Sequence, residues 1–521
     1  MRSLTALSAV ALLAVPSLLA AQAPAPSAAV KKAAATITAA DIKKRIGIIA
    51  DDSMKGRDTP SPGLEMTATY VANEFKKFGL KPAGENGTWY QRYKIQERQL
   101  DVAKSHIGFM YAGTHAHAEL ARDAVYLLGA IPETSPHAKA LLVGGPVSAD
   151  DAAKLNAKGK VVLVVMDYSK PLPPTMGQMF SAIQRAEPAA VLLISNRDSA
   201  QFAGRLSRNA RIRPIIEGLD QVGIPVIEVH QRAALAALTA SKVNLDEVRA
   251  STTMVTRDLP ELTIGVDLED KVLKSASAPN TIGVLEGTDP KLKNEYVVFS
   301  SHMDHVGVAG PNGTGGCQAK GADSICNGAD DDGSGTVGVI ELAEAFSRPG
   351  ARPKRSMLFI TVSGEEKGLY GSDYFTTHPT IPLSQVVADI NIDMIGRNWA
   401  DTIVAIGKEH SDLGTTLNRI GEQHPELRMA PIDDRWPEES FYTRSDHFNF
   451  ARKGVPILFF FNGVHADYHQ VSDSPDKIDA EKMSRIVQLL FYLGQDVANN
   501  PQKPKWNPES YDKIVEKKPT T

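Results

Sequence analysis

The sequence predicts an α/β fold, a mostly parallel central sheet with helices on both faces, plus an inserted smaller domain of α/β or β-rich character. Short apolar runs rich in β-branched and aromatic residues recur through the C-terminal half, at 282–285, 297–300, 357–362, 386–392, 403–406 and 457–461. Runs of that length and composition read as strands buried on both faces. Segments with helical spacing, such as 335–346, separate them, and strands that alternate with helices build a parallel sheet covered on both sides. The texture changes between 125 and 255, where 160–165, 189–194 and 224–227 read as buried strands but no histidine clusters with acids. That stretch reads as an insert without chemistry of its own.

Taken in order, residues 1–23 carry Arg2, then the apolar run 4–20, then Ala21-Gln22-Ala23. This has the form of a secretory signal peptide, with an uncleaved anchor as the alternative. It places the mature chain outside the cytoplasm, periplasmic or secreted. Residues 24–37 are Pro/Ala-rich and read as a flexible linker, and order is expected from Thr38, where Thr-Ala-Ala-Asp has the form of a helix start. Leu64, Ala68, Val71, Phe75 and Phe78 mark one face of a helix that Gly79 stops; residues 89–95 follow as a strand. His115 and His117 read as surface residues. The main domain is thus discontinuous, 38–124 and 256–500, around the insert at 125–255. Its last helix shows Met483, Ile486, Val487, Leu490, Leu493 and Val497 on one face. Residues 501–521 are Pro- and Lys-rich and read as a loosely held tail.

With 521 residues the chain has material for two domains and a large core. A net charge of −4 and the absence of a long basic run make nucleic acid and anionic membranes poor partners. Beyond the leader no stretch is long and apolar enough for stable membrane insertion. The only cysteines, Cys317 and Cys326, are close in sequence; in an exported chain such a pair forms a disulfide, free thiols being the alternative.

Chemistry concentrates at the ends of the C-terminal strands: His302, Asp304, Asp331, Glu365, Glu366, Asp393 and His469. In open α/β sheets, sites form beyond the carboxyl ends of the strands. So many acids beside imidazoles repel one another unless cations hold them together. Imidazoles and carboxylates without thiolate suit zinc, with manganese or cobalt as substitutes. The acids serve two cations only if one carboxylate bridges, and the loop Asp330-Asp331-Asp332 is the natural source. Of the adjacent Glu365 and Glu366, one can bind a metal while the other faces substrate as general base. Asp304, two residues past His302, can accept its second ring N–H.

The motifs SSHMDHVGV, NGADDDGSG, SGEEKGLYGS, NIDMIGR and DYHQVSDSPDKID resemble the di-zinc aminopeptidase family of the bacterial leucyl aminopeptidases, whose relatives include glutamate carboxypeptidase and glutaminyl cyclase. GRDTPSPG, LKPAGENGTWYQ and NTIGVLEGTDP extend the resemblance, so that 38–124 and 256–500 would be the zinc peptidase domain and 125–255 a protease-associated domain. The resemblance implies two zinc ions per chain. It implies His302 and Asp393 on the first, Glu366 and His469 on the second, Asp331 bridging them, and Glu365 as general base. It further implies a cis peptide after Asp331, and Tyr468 hydrogen bonding to the oxyanion, with a packing role as the alternative. The substrate would be a peptide with a free N-terminus. A carboxypeptidase of the same fold would need cationic groups at the cleft, for which Arg397, Arg435 and Arg444 are the sources. Glutaminyl cyclisation and a metal-free binding ectodomain fit the intact acidic set less well. Trp399, Trp436, Phe441 and Tyr442 are candidates for the walls of a specificity pocket.

Overall fold

The apolar run around Val298 forms the strand Tyr296–His302 at the centre of a ten-stranded sheet. Its side chains alternate between the two faces, as a pleated strand requires. Val297 and Phe299 enter one apolar cluster with helices Ala39–Ile49, Gly333–Ser347 and Ala480–Asn499. Val298 enters another with Phe375 of helix Tyr370–Thr377 and Phe450 of helix His447–Arg452. The sheet is therefore covered on both faces. Phe299 stacks on Phe359 at 6.0 Å and meets Phe346 at 5.8 Å between ring centroids; burial of each such ring is worth ~1.5–3 kcal/mol. The computed structural model describes residues 26–172, 174, 176–221, 223–310 and 316–517, and the expected signal peptide lies outside them. Among the described residues no helix is long and apolar enough to cross a membrane.

The sheet is mixed. Strands Ile457–Phe460, Val386–Ile392, Tyr296–His302 and Ser356–Val362 run parallel at the centre, while Asp270–Leu285, Tyr90–Leu100 and Thr402–Ile406 pair antiparallel on the flanks. The expectation of a mostly parallel sheet therefore holds for the centre and for the short edge pair of Thr402–Ile406 with Ala430–Ile432. A parallel return needs a crossover long enough to hold a helix. No helix separates Val386–Ile392 from Thr402–Ile406, and the chain comes back antiparallel.

On the other flank the cause is the insert. The chain leaves the first sheet along Tyr90–Leu100 and returns along the antiparallel Asp270–Leu285, so the second domain is the loop of one long hairpin. Its eight-stranded sheet includes His106–Tyr111 and Thr114–Glu119 at one edge, joined through Val255–Asp267. The boundaries expected at 125 and 255 fall inside this sheet, because His106–Tyr111 finds its partner Val255–Asp267 far along the chain and Thr114–Glu119 is joined through it. Ile212–Ile216, from within the insert, pairs with Tyr90–Leu100 and stitches the two sheets together. His115 and His117 are exposed on Thr114–Glu119.

Both expected flexible ends are packed instead. Within the stretch read as a linker, Ala28–Ala34 is a helix capped by Ser27, with Ala33 and Ala34 in the main core. Alanine is the strongest helix former and small enough to lie close against other helices, which a low-complexity reading overlooks. The tail forms helix Pro508–Ile514; Trp506 Nε1 donates to Gly454 O at 3.0 Å, and Glu516 pairs with Arg452 and Lys453. Thr38 does cap the helix Ala39–Ile49, and Cys317 and Cys326 are joined by a disulfide.

Replacing Ala34, which is 2 % exposed, by Asp forces a carboxylate into the core without a partner. The expected cost is at least ~2 kcal/mol, read as a lowered denaturant midpoint. A midpoint unchanged from wild type would mean that the Ala28–Ala34 helix does not pack as described.

Candidate metal centre

Each central parallel strand hands a polar side chain to the same place beyond its carboxyl end. Tyr296–His302 delivers His302 and then Asp304; Ser356–Val362 leads into Glu365 and Glu366; Val386–Ile392 into Asp393; and Ile457–Phe460 into the loop with Tyr468 and His469. The structure brings these together around Asp331. His302 Nε2 lies 3.4 Å from Asp331 Oδ1 and 3.7 Å from Asp393 Oδ1. His469 Nε2 lies 3.1 Å from Asp331 Oδ2 and 3.0 Å from Glu366 Oε2. Asp331 thus turns one oxygen to each of two donor groups.

The acidic triplet divides its work. Asp330 Oδ1 accepts from Gly396 N at 2.6 Å, and its Oδ2 lies 3.2 Å from His465 Nε2. Asp332 caps the helix Gly333–Ser347 by accepting from Gly335 N at 2.8 Å, and also accepts the backbone N–H groups of His302 and Met394. Asp332 lies within 4.8 Å of donor atoms of His302 and Asp393, yet both its oxygens are engaged. Only the middle residue turns both of its oxygens toward imidazoles, those of His302 and His469. The Asp331–Asp332 peptide is cis.

Asp304 accepts from Gly364 N at 2.7 Å and from Thr59 Oγ1 at 2.9 Å, and its Oδ1 lies 3.6 Å from His302 Nδ1. It therefore ties the His302 loop to the turn that presents Glu365. That turn needs glycine at 364, where φ is +76° and a Cβ would fall 2.6 Å from Tyr93 Oη. Glu365 and Tyr468 share one cavity with His302, Asp331 and Asp393, walled by Met394, Phe441, Phe459, Phe461 and Val464. Of the four aromatic wall candidates, Phe441 lines this cavity; Trp436 packs behind it at 5.7 Å, and Trp399 stacks on Trp436. Of the three arginines, Arg444 lines it, whereas Arg397 is bound to Asp467 at 2.9 Å and Arg435 lies over Trp399.

Several residues here escaped the sequence reading. His305 is fully buried with Nδ1 2.8 Å from Glu366 Oε1. Asp473 accepts the N–H groups of Asp330 and Asp331, and Ser445 Oγ donates to Asp393 Oδ2 at 3.0 Å. Arg57, fully buried, donates to the carbonyl oxygens of Ile49, Met303, Asn327 and Gly328, and so clamps the loops that carry His302 and Asp331. Both Arg57 and Asp473 stand inside motifs that also occur in the family resemblance, which was the available signal. His305 follows Asp304 directly in SSHMDHVGV, where nothing in the sequence sets it apart.

The donor set fits divalent cations. Asp331 Oδ2, Asp393 Oδ1 and His469 Nε2 are buried without a hydrogen-bond partner, a costly arrangement unless a cation completes it. The electrostatics agree. Burial works against a charged His302, but Glu365, Asp304, Asp331 and Asp393 outweigh it and hold the imidazole pKa well above its usual value. His469 is likewise pushed up to about 10 against burial, by Asp331 and Glu366. The carboxylates thus retain positive charge in the cluster, and a metal can take the place of those protons. Glu365 is pushed well above the usual carboxyl range, chiefly by burial, with Glu366 adding to it and His302 opposing.

Residues 280–494 match the family model described as Peptidase family M28. Among curated relatives, the "Probable leucine aminopeptidase" of Trichophyton verrucosum (strain HKI 0517) is 22% identical over 349 residues, covering 61% of this chain and 84% of that protein. "Leupeptin-inactivating enzyme 1" of Streptomyces exfoliatus is 28% identical over 203 residues, covering 39% of each. A solved structure titled "Aminopeptidase from Aneurinibacillus sp. strain AM-1" aligns over 91% of this chain and 97% of its own at 16% identity, with a TM-score of 0.47.

Arg57→Met keeps side-chain bulk and removes every donor, leaving buried carbonyl oxygens unpartnered. The expected loss is at least ~3 kcal/mol, measured by denaturant unfolding. Wild-type stability in this variant would contradict the clamp.

Proposed function

We propose that this chain, which carries a Peptidase family M28 domain, is an exported aminopeptidase that uses two zinc ions to remove N-terminal residues from peptides. The observation that carries the reading is the division of the Glu pair. Glu366 stands with His305, Asp331 and His469 in a donor cluster, whereas Glu365 does not belong to that cluster and faces the cavity. In this reading His302, Asp331 and Asp393 hold one ion, and Asp331, Glu366 and His469 the other. Bound zinc would supply Lewis acidity, lowering the pKa of water and polarising the scissile carbonyl.

The side chains around it do the proton work. Glu365, its carboxyl pKa raised by burial, takes a proton from the attacking water and passes it to the leaving amine, so that water adds across the peptide bond with no net gain or loss of protons on the enzyme. Tyr468, whose hydroxyl is held protonated by burial and by Asp331, Glu366 and Glu365, donates a hydrogen bond to the carbonyl oxygen as charge develops there. Asp304 keeps the His302 ring in one orientation. Met394, Phe441, Phe459, Phe461 and Val464 favour an apolar N-terminal side chain, in keeping with the similarity to a protein named as a leucine aminopeptidase. A carboxypeptidase reading draws on Arg444 alone. Export is supported by the leader's composition and by the disulfide between Cys317 and Cys326.

Glu365→Gln keeps the shape and removes the base, so kcat with an apolar aminoacyl-nitroanilide should fall by ~10²–10⁴-fold while bound metal is retained. Glu366→Gln should lose metal as well as rate. If Glu365→Gln loses a zinc and Glu366→Gln keeps both, the roles are reversed. N-acetylated peptides should be inert and C-amidated ones cleaved; the opposite pattern would establish the carboxypeptidase instead.

A further inference from the structure

We infer that His305 is a positioning residue that sets the orientation of the Glu366 carboxylate; this rests on reading Glu366 as a metal ligand. His305 is fully buried, and its Nδ1 stands 2.8 Å from Glu366 Oε1, the distance of a charge-assisted N–H···O bond. The other oxygen of Glu366, Oε2, is the one that faces His469 Nε2, at 3.0 Å. His305 stands in one group of potential donors with Asp331, Glu366 and His469, and the Glu366 carboxylate is split within it, one oxygen held by His305 and the other directed at His469. Asp393 is split in the same way: Ser445 Oγ holds its Oδ2 at 3.0 Å, and its unpartnered Oδ1 faces His302. Each of these carboxylates thus has one oxygen fixed by a protein donor, which removes rotation about its last torsion before any metal arrives.

The His305 ring is itself immobilised. On one side the backbone of Gly328, at φ +56°, closes so tightly that a Cβ there would lie 2.5 Å from the ring. On another, the His469 ring meets it edge-on, with centroids 5.5 Å apart. A ring so enclosed cannot swing away from Glu366, and it braces His469 as well. A direct ligand role suits the geometry less well. Nδ1 is 3.6 Å from Asp331 Oδ2, farther than the 3.1 Å at which His469 Nε2 meets that same oxygen, and the close contact is to the Glu366 oxygen turned away from His469.

The test uses the full chain stripped of metal and retitrated with zinc against a chromogenic chelator, so that the readout is affinity rather than turnover. His305→Ala should weaken one of the two zinc ions by about 10–100-fold and leave the other unchanged. His305→Asn, which keeps an N–H near the position of Nδ1, should recover most of that loss. Unaltered affinity for both ions in His305→Ala overturns the inference. So does loss of one zinc in both variants, which would make His305 a ligand. A wild-type chain that binds fewer than two zinc ions defeats the underlying di-metal reading, a result separable from the other two because it appears before any substitution. If His305→Ala does not fold, the comparison of His305→Asn with wild type decides: near-equal affinities support positioning, and loss of one ion overturns it.

Discussion

Three successive carboxylates, those of Asp330, Asp331 and Asp332, lie buried at the head of one helix, and much of the surrounding structure is arranged to keep them there. Buried like charges at neighbouring positions repel strongly. Asp332 is satisfied by backbone N–H groups, and so is one oxygen of Asp330, whose other oxygen faces His465. Asp331 is left with imidazoles at both oxygens and burial that opposes its charge; His305, His302 and His469 outweigh that burial and hold its pKa well below the usual carboxylate range. Arg57 and Asp473 then lock the loop from behind, one through carbonyl oxygens and the other through N–H groups. The loop is consequently rigid where a metal would need it to be rigid.

The same constraint explains how the fold is deployed. The four central strands run parallel to one another, and their carboxyl ends lead into His302, Glu366, Asp393 and His469. The antiparallel flanks carry the insert, which leaves and re-enters through adjacent strands and is fastened by Ile212–Ile216.

The centre was legible in the sequence because its signals are local: a short apolar run that ends in a polar residue with ligand chemistry. His302, Glu366 and Asp393 follow that pattern, whereas Asp331 comes from the acidic loop before helix Gly333–Ser347 and His469 from the loop beyond Ile457–Phe460. His305 was missed because its role is visible only when Glu366, far along the chain, folds onto it. Arg57 was missed for the same reason, since nothing in GRDTPSPG announces which carbonyl groups will surround a guanidinium. The strand His106–Tyr111 joins the second sheet through Val255–Asp267, far along the chain, and brings Thr114–Glu119 with it. Ala28–Ala34 and Pro508–Ile514 were read as loose from composition, yet tertiary packing decides short helices of this kind.

In the proposed di-metal site Asp331 serves two cations at once, and zinc titration of metal-stripped Asp331→Asn beside the wild-type chain tests this most directly. A bridging role predicts that two zinc ions bind to wild type and that the single substitution weakens both together. Two ions bound by Asp331→Asn with wild-type affinity, or the loss of one with the other untouched, would contradict it.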